Sequence, residues 1–189
     1  VGPRAREPRV VARPPRSQAP SPMQTRVSIT TVFRCSLERA FKTPMLCDIS
    51  KVHTGFGPMP RVTHCTDDAR WGQVGGTKRV FSGRAWTFAG GEASIDRVLE
   101  RVENDHWVIE VTDFKTWMLG FTRFVGEWRT TQLAPDEIRV DYTYTLHAEA
   151  PWLLPLQWLF ARVFWRIYMG RVLENVRAMA YASEPYQYA

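Results

Sequence analysis

The hydrophobic period of the chain changes once, and this change restricts the fold more than any other feature of the sequence. Apolar and polar side chains alternate over residues 61–149, which predicts a run of antiparallel strands with one buried face. The clearest strand is IRVDYTYTLHAE (138–149), in which Tyr142 and Tyr144 lie on the apolar face. Over residues 151–183 the period is 3.6, which predicts a single long C-terminal helix.

The segment before residue 61 completes the predicted architecture. Residues 23–35 are rich in β-branched side chains and predict a first strand. Ser36 is a suitable N-cap for a short helix that Pro44 should stop or restart, and a second short helical piece is expected over 45–52. We therefore predict an α+β fold in which a curved antiparallel sheet of about six to seven strands wraps around the long helix.

Residues 1–22 differ in composition from the rest of the chain. They hold five arginines, one glutamate and six of the thirteen prolines, so they carry four of the six formal positive charges and are predicted to be disordered. The remaining residues are nearly neutral, so nucleic acid is not an expected partner. Met23 is the suspected physiological start, with a flexible basic tether as the alternative. One folded domain is predicted over 23–183, followed by a short tail over 184–189.

The most apolar stretch is PWLLPLQWLFARVFWRIYMG (151–170), and we interpret it as the first half of the long helix. A membrane span is not predicted, because Gln157, Arg162 and Arg166 interrupt it. One stripe should face the sheet: Trp158, Ala161, Trp165, Tyr168, Met169, Val172, Val176 and Met179. A second apolar strip appears in the first half only: Leu156, Phe160, Val163 and Ile167. If nothing covers this second strip, it is expected to contact a membrane surface or another chain.

Four segments give the chain a resemblance to a known superfamily: VGGTKRVFSGR (74–84), DRVLERVENDHWVIEVTDF (96–114), FVGEWRTTQLAPDEIRVDYTYTLHA (124–148) and LLPLQWLFARVFWRIYMGRVLENVRAMA (153–180). The chain resembles the START-related helix-grip (SRPBCC) proteins, and among them the bacterial polyketide cyclase/dehydrase group, over roughly residues 24–182. The resemblance implies a helix-grip fold with a deep ligand cavity between the sheet and the long helix. It transfers no catalytic residue to this sequence.

Nine residues are candidates for contact with a ligand in such a cavity. Pockets for apolar ligands combine aromatic walls with a few polar groups. The predicted ligand-binding residues are Trp71, Trp86, Trp128, Tyr142, Tyr144, Trp165, Tyr168, Met169 and His64. The hydroxyls of the strand tyrosines either hold a ligand carbonyl or bond to backbone groups. Trp71 and Trp117 lie near turns, where the mouth of a cavity is expected.

Candidate acid–base residues are few. His53 and His64 titrate near neutral pH and are candidates, with a hydrogen-bonded structural role as the alternative. Asp96 would have a raised pKa if it faced the cavity, whereas on a solvated face it would pair with Arg84 or Arg97. No metal or other cofactor is predicted, since no His, Cys, Asp and Glu grouping has zinc-ligand spacing. The three cysteines show no C-x-x-C spacing, which favours a reducing cytoplasm.

Two functions are compatible with the sequence. The first is a carrier or binding protein for a hydrophobic small molecule such as a lipid, an isoprenoid or a polyketide-like compound. The second is an enzyme of the cyclase/aromatase type that closes and dehydrates a poly-β-ketone in the same cavity, where few catalytic groups are needed. The sequence leaves open whether the protein is catalytic and which ligand it takes. It also leaves open whether the protein forms a homodimer or touches a membrane surface transiently.

Overall fold

A computed structural model describes residues 23–66, 68–86, 88–116 and 118–188, and the predictions for residues 1–22 and Trp117 lie outside these ranges. Seven antiparallel strands form one sheet in the order β1-β7-β6-β5-β4-β3-β2. Their bounds are β1 Gln24–Phe33, β2 Val62–Cys65, β3 Thr77–Ser82, β4 Gly91–Val102, β5 His106–Thr112, β6 Phe121–Ala134 and β7 Glu137–Ala148. With two short helices after β1 and a long C-terminal helix, the predicted α+β fold is confirmed.

The register of the strands brings four connections to the same end of the sheet. Val62 pairs with Ser82, Ser82 with Gly91, and Phe121 with Ala148. These strand ends, and the connections attached to them, therefore lie at the same end of the sheet. We call this the mouth end, formed by residues 53–61, 83–90, 113–120 and 149–153. The opposite end, which carries the first helix, is called the anchored end.

Helix α1 (Leu37–Leu46) begins at the Ser36 cap and runs through Pro44, so the prediction that this proline stops or restarts the helix is wrong. Proline has no N–H to donate to the carbonyl four residues earlier, which belongs to Ala40. The indole Nε1 of Trp128 donates to that carbonyl instead, at 3.0 Å. The helix therefore continues because a side chain from β6 satisfies the group that the proline leaves free.

Two more tryptophans bind helix α1 in the same way. Trp107 Nε1 donates to the carbonyl of Phe41 at 3.0 Å, and Trp71 Nε1 donates to that of Met45 at 2.8 Å. These three tryptophan bonds hold α1 across the anchored end of the sheet.

Helix α2 (Ile49–Val52) follows α1, and after it the chain enters the mouth end.

The long C-terminal helix is present but is not uniform. It consists of a 3-10 turn at Pro151–Leu153, helix α3 at Leu154–Leu159, a π-helical segment at Phe160–Trp165 and helix α4 at Arg166–Tyr181. It begins at the mouth end and finishes at the anchored end, where the Tyr181 hydroxyl accepts a bond from the Arg34 backbone N–H. Among the described helices, none is both long and apolar enough to cross a membrane.

The π-helical segment changes which face of the helix is buried. It adds about one residue to a turn, which rotates the preceding residues by about 100°. The stripe predicted at constant period is therefore wrong at Trp158, which is 55% exposed while Gln157 is buried, whereas Ala161 is buried as predicted. Phe160, predicted on the second strip, is buried for the same reason. Gln157 is accepted in the core because its side-chain amide donates to the Leu119 carbonyl at 2.8 Å.

The residues after helix α4 pack against the domain. The backbone N–H groups of Gln187 and Tyr188 both donate to the carbonyl of Leu46, at 2.7 and 3.1 Å. Arg39 donates from its guanidinium to the carbonyl of Glu184 at 2.6 Å. The last described residues thus cover the C-terminal end of α1.

Candidate functional site

A cavity lies between the inner face of the sheet, the two short helices and the long helix. It measures about 140 Å³, and its walls are mostly apolar. An engineered cavity of about 150 Å³ binds benzene, so this one has room for a single ring or a short chain segment. Met59 and Pro60 on one loop, and Phe114 and Met118 on another, line the cavity where it approaches the mouth end.

The structure brings six of the nine predicted ligand-binding residues together in the cavity wall. They are Trp71, Trp128, Tyr142, Tyr144, Trp165 and Tyr168. Five of these rings form a continuous line across the core, with centroids 5.1–5.4 Å apart from Trp128 through Tyr142, Tyr144 and Trp165 to Tyr168. Trp71 is buried at the anchored end, not at the mouth where its turn suggested.

The other three predicted residues lie outside the cavity wall. Trp86 sits in the β3–β4 hairpin and is 91% exposed. His64 is exposed and stacks on Phe81, because a register shift after Val62 turns it to the other face of β2. Met169 is fully buried in the core without lining the cavity. After a β-bulge the alternate residues of a strand switch faces, so the odd- or even-numbered residues that pointed inward now point outward. The sequence pattern alone did not reveal the bulge in β2.

Gly126 makes room for the tyrosines at the centre of the wall. The sequence predicted a bulge or a close approach at this glycine, and the structure shows the close approach. It pairs with Tyr144 in an unbroken stretch of register, and a Cβ at Gly126 would lie 2.7 Å from Tyr144 Cζ. The ring of Tyr144 therefore occupies the space that any other residue would fill.

The tyrosine hydroxyls of the wall stay protonated. Burial raises the pKa values of Tyr142, Tyr144 and Tyr168 well above the ordinary value. His53 Nδ1 shares a 2.7 Å hydrogen bond with the Tyr168 hydroxyl. Burial, assisted by the positive charge of Lys78, lowers the pKa of His53 to about 4, so this imidazole is neutral at pH 7. These groups can donate hydrogen bonds to a ligand without carrying charge.

Asp96 faces the cavity, and the prediction of a solvated pair with Arg84 or Arg97 is wrong. It is 5% exposed and pairs in register with Lys78 on β3, which is buried as well. Burial raises the pKa of Asp96 to about 6, although the charge of Lys78 acts in the opposite direction. Lys78 was not among the predicted site residues, although it shares the parity of Val80 and Ser82 on β3, which are also buried.

Two fully buried side-chain polar atoms of the cavity wall have no hydrogen-bond partner within the described part of the chain. They are the Trp165 indole Nε1, a donor, and Asp96 Oδ1, an acceptor. Lys78 Nζ is also without a hydrogen bond there, and it lies 3.8 Å from the centroid of the Trp71 ring. Buried polar groups usually have hydrogen-bond partners. A ligand with polar groups would therefore gain most binding free energy by forming hydrogen bonds to these atoms.

The described residues contain no group of three or more His, Cys, Asp or Glu side chains that could hold a metal ion. The three cysteines are free thiols. Burial raises the pKa of each, in Cys65 to about 11, so they remain protonated and weakly nucleophilic at neutral pH. The chemistry of the site therefore rests on the aspartate, the histidine, the tyrosines and the free indole N–H.

No protein-family model matches the sequence, and no curated protein matches it. Solved structures do match the fold. Norcoclaurine synthase from Thalictrum flavum, a point mutant in complex with a transition-state analogue, gives a TM-score of 0.59 at 8% identity, over 86% of this chain and 97% of that chain. Ara h 8.0201 gives 0.60 at 8% identity, over 84% and 99%.

The di-domain ARO/CYC protein StfQ from the steffimycin biosynthetic pathway gives a TM-score of 0.59 at 11% identity, over 85% of this chain and 52% of that chain. These neighbours are Bet v 1-like helix-grip proteins of the START-related superfamily. The chain has their fold, and the helix-grip fold that the resemblance implied is confirmed.

Proposed function

We propose that the protein binds a hydrophobic small molecule in the cavity and acts as a carrier or binding protein. The observation that carries this proposal is an apolar cavity in which the Trp165 indole N–H and Asp96 Oδ1 lack hydrogen-bond partners among the described residues. Ligand pockets have this composition, with apolar walls and a few polar groups that fix orientation. Lipids, isoprenoids and polyketide-like molecules are the candidate ligand classes.

The size of the cavity limits how such a ligand sits. A ring or short chain segment occupies the enclosed space of about 140 Å³. The rest of a longer molecule extends toward the mouth end, along the loops of Met59 and Met118. A carbonyl or hydroxyl oxygen of the ligand accepts from Trp165, and a hydroxyl hydrogen binds Asp96.

Native mass spectrometry of the freshly purified protein tests for a retained ligand, and titration with the fluorophore 1-aminoanthracene tests the cavity directly. We expect one saturable site. Val111→Phe, which places a ring in the cavity, should weaken the fluorophore at least about tenfold by filling its space. Val108→Phe on the outer face of the same strand is the matched control. The absence of saturable binding, or equal effects of both variants, would contradict the proposal.

A cyclase/aromatase-type enzyme is the alternative function, and the placement of Asp96 favours it. Its carboxylate would take a proton from the carbon between two ketones, and a C–C bond would form to a second carbonyl held by a tyrosine hydroxyl. Asp96 would return its proton to that carbonyl oxygen, which becomes a hydroxyl. In the dehydration Asp96 would take the second proton from the attacking carbon and pass it to the hydroxyl, which leaves as water while the C=C bond forms. A pKa of about 6 suits proton exchange near neutral pH.

The alternative is tested with a synthetic poly-β-ketone thioester, whose cyclised product is followed by mass spectrometry. Asp96→Asn should lower the rate of closure at least about a hundredfold if the carboxylate is the base. A neighbouring polyketide synthase gene would support this function. Unchanged product profiles with and without the protein would contradict it.

We also propose which further partners the protein meets and where in the cell it is located. A carrier exchanges its ligand with a membrane surface in transient contact, or with another protein, and a homodimer is the competing use of an exposed apolar face. The free cysteines agree with a cytoplasmic location, where thiols stay reduced.

A further inference from the structure

The exposed apolar surface of the protein is concentrated at the mouth end. Of the 15 large hydrophobic side chains that are exposed in the described part of the chain, eight lie between Trp152 and Ile167, at the start of the long helix. A ninth, Trp86, lies in the β3–β4 hairpin at the same end of the sheet. The remaining six are distributed over other parts of the molecule. Large exposed apolar patches on soluble domains mark interaction sites.

The π-helical segment contributes to this patch because it turns Trp158 outward. Leu156, Val163 and Ile167 of the second apolar strip are exposed as well. The short helices near the start of the chain do not cover this face. We call the exposed side chains of Trp152–Ile167 the apolar helix face.

The charge around the apolar helix face indicates which kind of partner suits it. Arg61 and Arg84 at the mouth end, and Arg162 and Arg166 on the first half of the long helix, are exposed and form no ion pair with any described residue. Glu149 and Asp113 are the exposed acids among the described residues of this end, and Asp113 is paired with Lys115. The mouth end is therefore basic.

The anchored end has the opposite charge. Its described connections at 34–36, 66–76, 103–105 and 135–136 carry two arginines and four acidic residues, Asp68, Glu103, Asp105 and Asp136. The molecule thus has a basic apolar end and an acidic end. Two copies facing each other through the mouth end would bring like charges together, which disfavours a symmetric dimer on this face.

We propose that the mouth end docks reversibly on an anionic lipid bilayer through the apolar helix face. Tryptophan side chains favour the membrane–water interface, and arginines on the same helix contact anionic headgroups. The first half of the helix would lie in the plane of the membrane surface, since it is not long and apolar enough to cross the bilayer. Because the cavity reaches the same end, an apolar ligand would pass between bilayer and cavity without crossing water.

The purpose of this contact rests on the proposed ligand binding, but the contact itself is measured without ligand. The full chain is floated with vesicles of phosphatidylcholine, with and without about one third phosphatidylglycerol. We expect binding to the anionic vesicles and weaker binding at high salt. Trp152→Ser/Trp158→Ser should lower the partition coefficient by about tenfold per tryptophan removed. Arg162→Gln/Arg166→Gln should lower binding to anionic vesicles only.

The matched control is Val74→Ser/Leu133→Ser, which removes two exposed apolar side chains outside the mouth end and should leave vesicle binding unchanged. Circular dichroism and 1-aminoanthracene titration show that each variant is folded with an intact cavity, so a failure of docking is separate from a failure of ligand binding. The proposal is overturned if the tryptophan variant binds vesicles like the wild type, which would assign binding to residues 1–22. A dimer abolished by the same variant, or no vesicle binding, would also overturn it.

Discussion

The anchored end and the mouth end of this protein use tryptophan in opposite ways. At the anchored end Trp71, Trp107 and Trp128 are buried, and each indole N–H donates to a carbonyl of helix α1. Toward the mouth end Trp165 is buried with no partner for its N–H among the described residues, and Trp158 is exposed. The same side chain is structural where its polar atom is satisfied and a candidate for binding where it is free.

The largest effect is expected when a satisfied tryptophan is lost. Trp128→Phe leaves the Ala40 carbonyl without a donor, because Pro44 supplies none, and it should cost about 3 kcal/mol of unfolding free energy. Urea denaturation monitored by circular dichroism measures this loss. Trp158→Phe at the mouth end is the control and should change stability by less than about 0.5 kcal/mol.

A double-mutant cycle sharpens the same comparison. Pro44→Ala provides a backbone N–H for the Ala40 carbonyl, so it should restore about 1 kcal/mol in the Trp128→Phe background and less in the wild type. Equal effects of Pro44→Ala in the two backgrounds would show that the indole bond does not replace the helical one.

His53 and Asp96 lie at the cavity and are expected to oppose each other in the pH dependence of stability. The pKa of His53 is lowered from 6.5 to about 4, so the unfolded chain binds more protons in that interval and the His53 contribution is lost as the pH falls. The pKa of Asp96 is raised from 3.8 to about 6, so the folded chain binds more protons there and the Asp96 contribution is lost as the pH rises.

Single variants should expose these hidden contributions. The difference in unfolding free energy between each variant and the wild type is followed as the pH is raised from 4 to 6. It should fall by up to about 3 kcal/mol for His53→Gln and rise by about as much for Asp96→Asn. Urea denaturation across this pH range measures both differences. Parallel pH profiles for the three proteins would mean that neither group is perturbed in the folded state.

Among the buried tryptophans of this comparison, the smallest effect on stability is expected at Trp165. Trp165→Phe removes an N–H that has no partner in the described structure, so it should cost less than about 1 kcal/mol. Its effect should appear in binding, because a ligand carbonyl loses its donor. The affinity ratio between 2-acetylnaphthalene and 2-ethylnaphthalene, measured by displacement of 1-aminoanthracene, should fall toward one. A loss of stability as large as that of Trp128→Phe would remove the distinction between the two ends.

The sequence predicted the features that depend on a constant local period. The strands, the two short helices and the long helix all follow from alternation or from a 3.6-residue repeat. The close approach at Gly126 was foreseen because a glycine in a strand interior indicates one. Six of the predicted ligand-binding residues lie in the cavity wall, and their contact with a ligand remains a proposal.

The predictions failed where the period is interrupted. The π-helical segment shifts the buried face to Gln157, and the register shift in β2 turns His64 outward. Pro44 was judged by local rules, whereas the bond that it cannot make to the Ala40 carbonyl is supplied by Trp128, which is 88 residues from Ala40 in the sequence. Asp96 lies in a strand with no clean alternation, so its burial depends on Lys78 and on tertiary packing.

The π-helical segment also has an evolutionary consequence. One extra residue in Phe160–Trp165 separates the present helix from a regular α-helix. Deletion of a single codon in this segment would restore a regular α-helix and leave Gln157 buried and Trp158 exposed, because the π turn absorbs the extra residue locally. A relative with the same strands but a helix shorter by one residue here would therefore share this fold and keep the same face of the helix exposed.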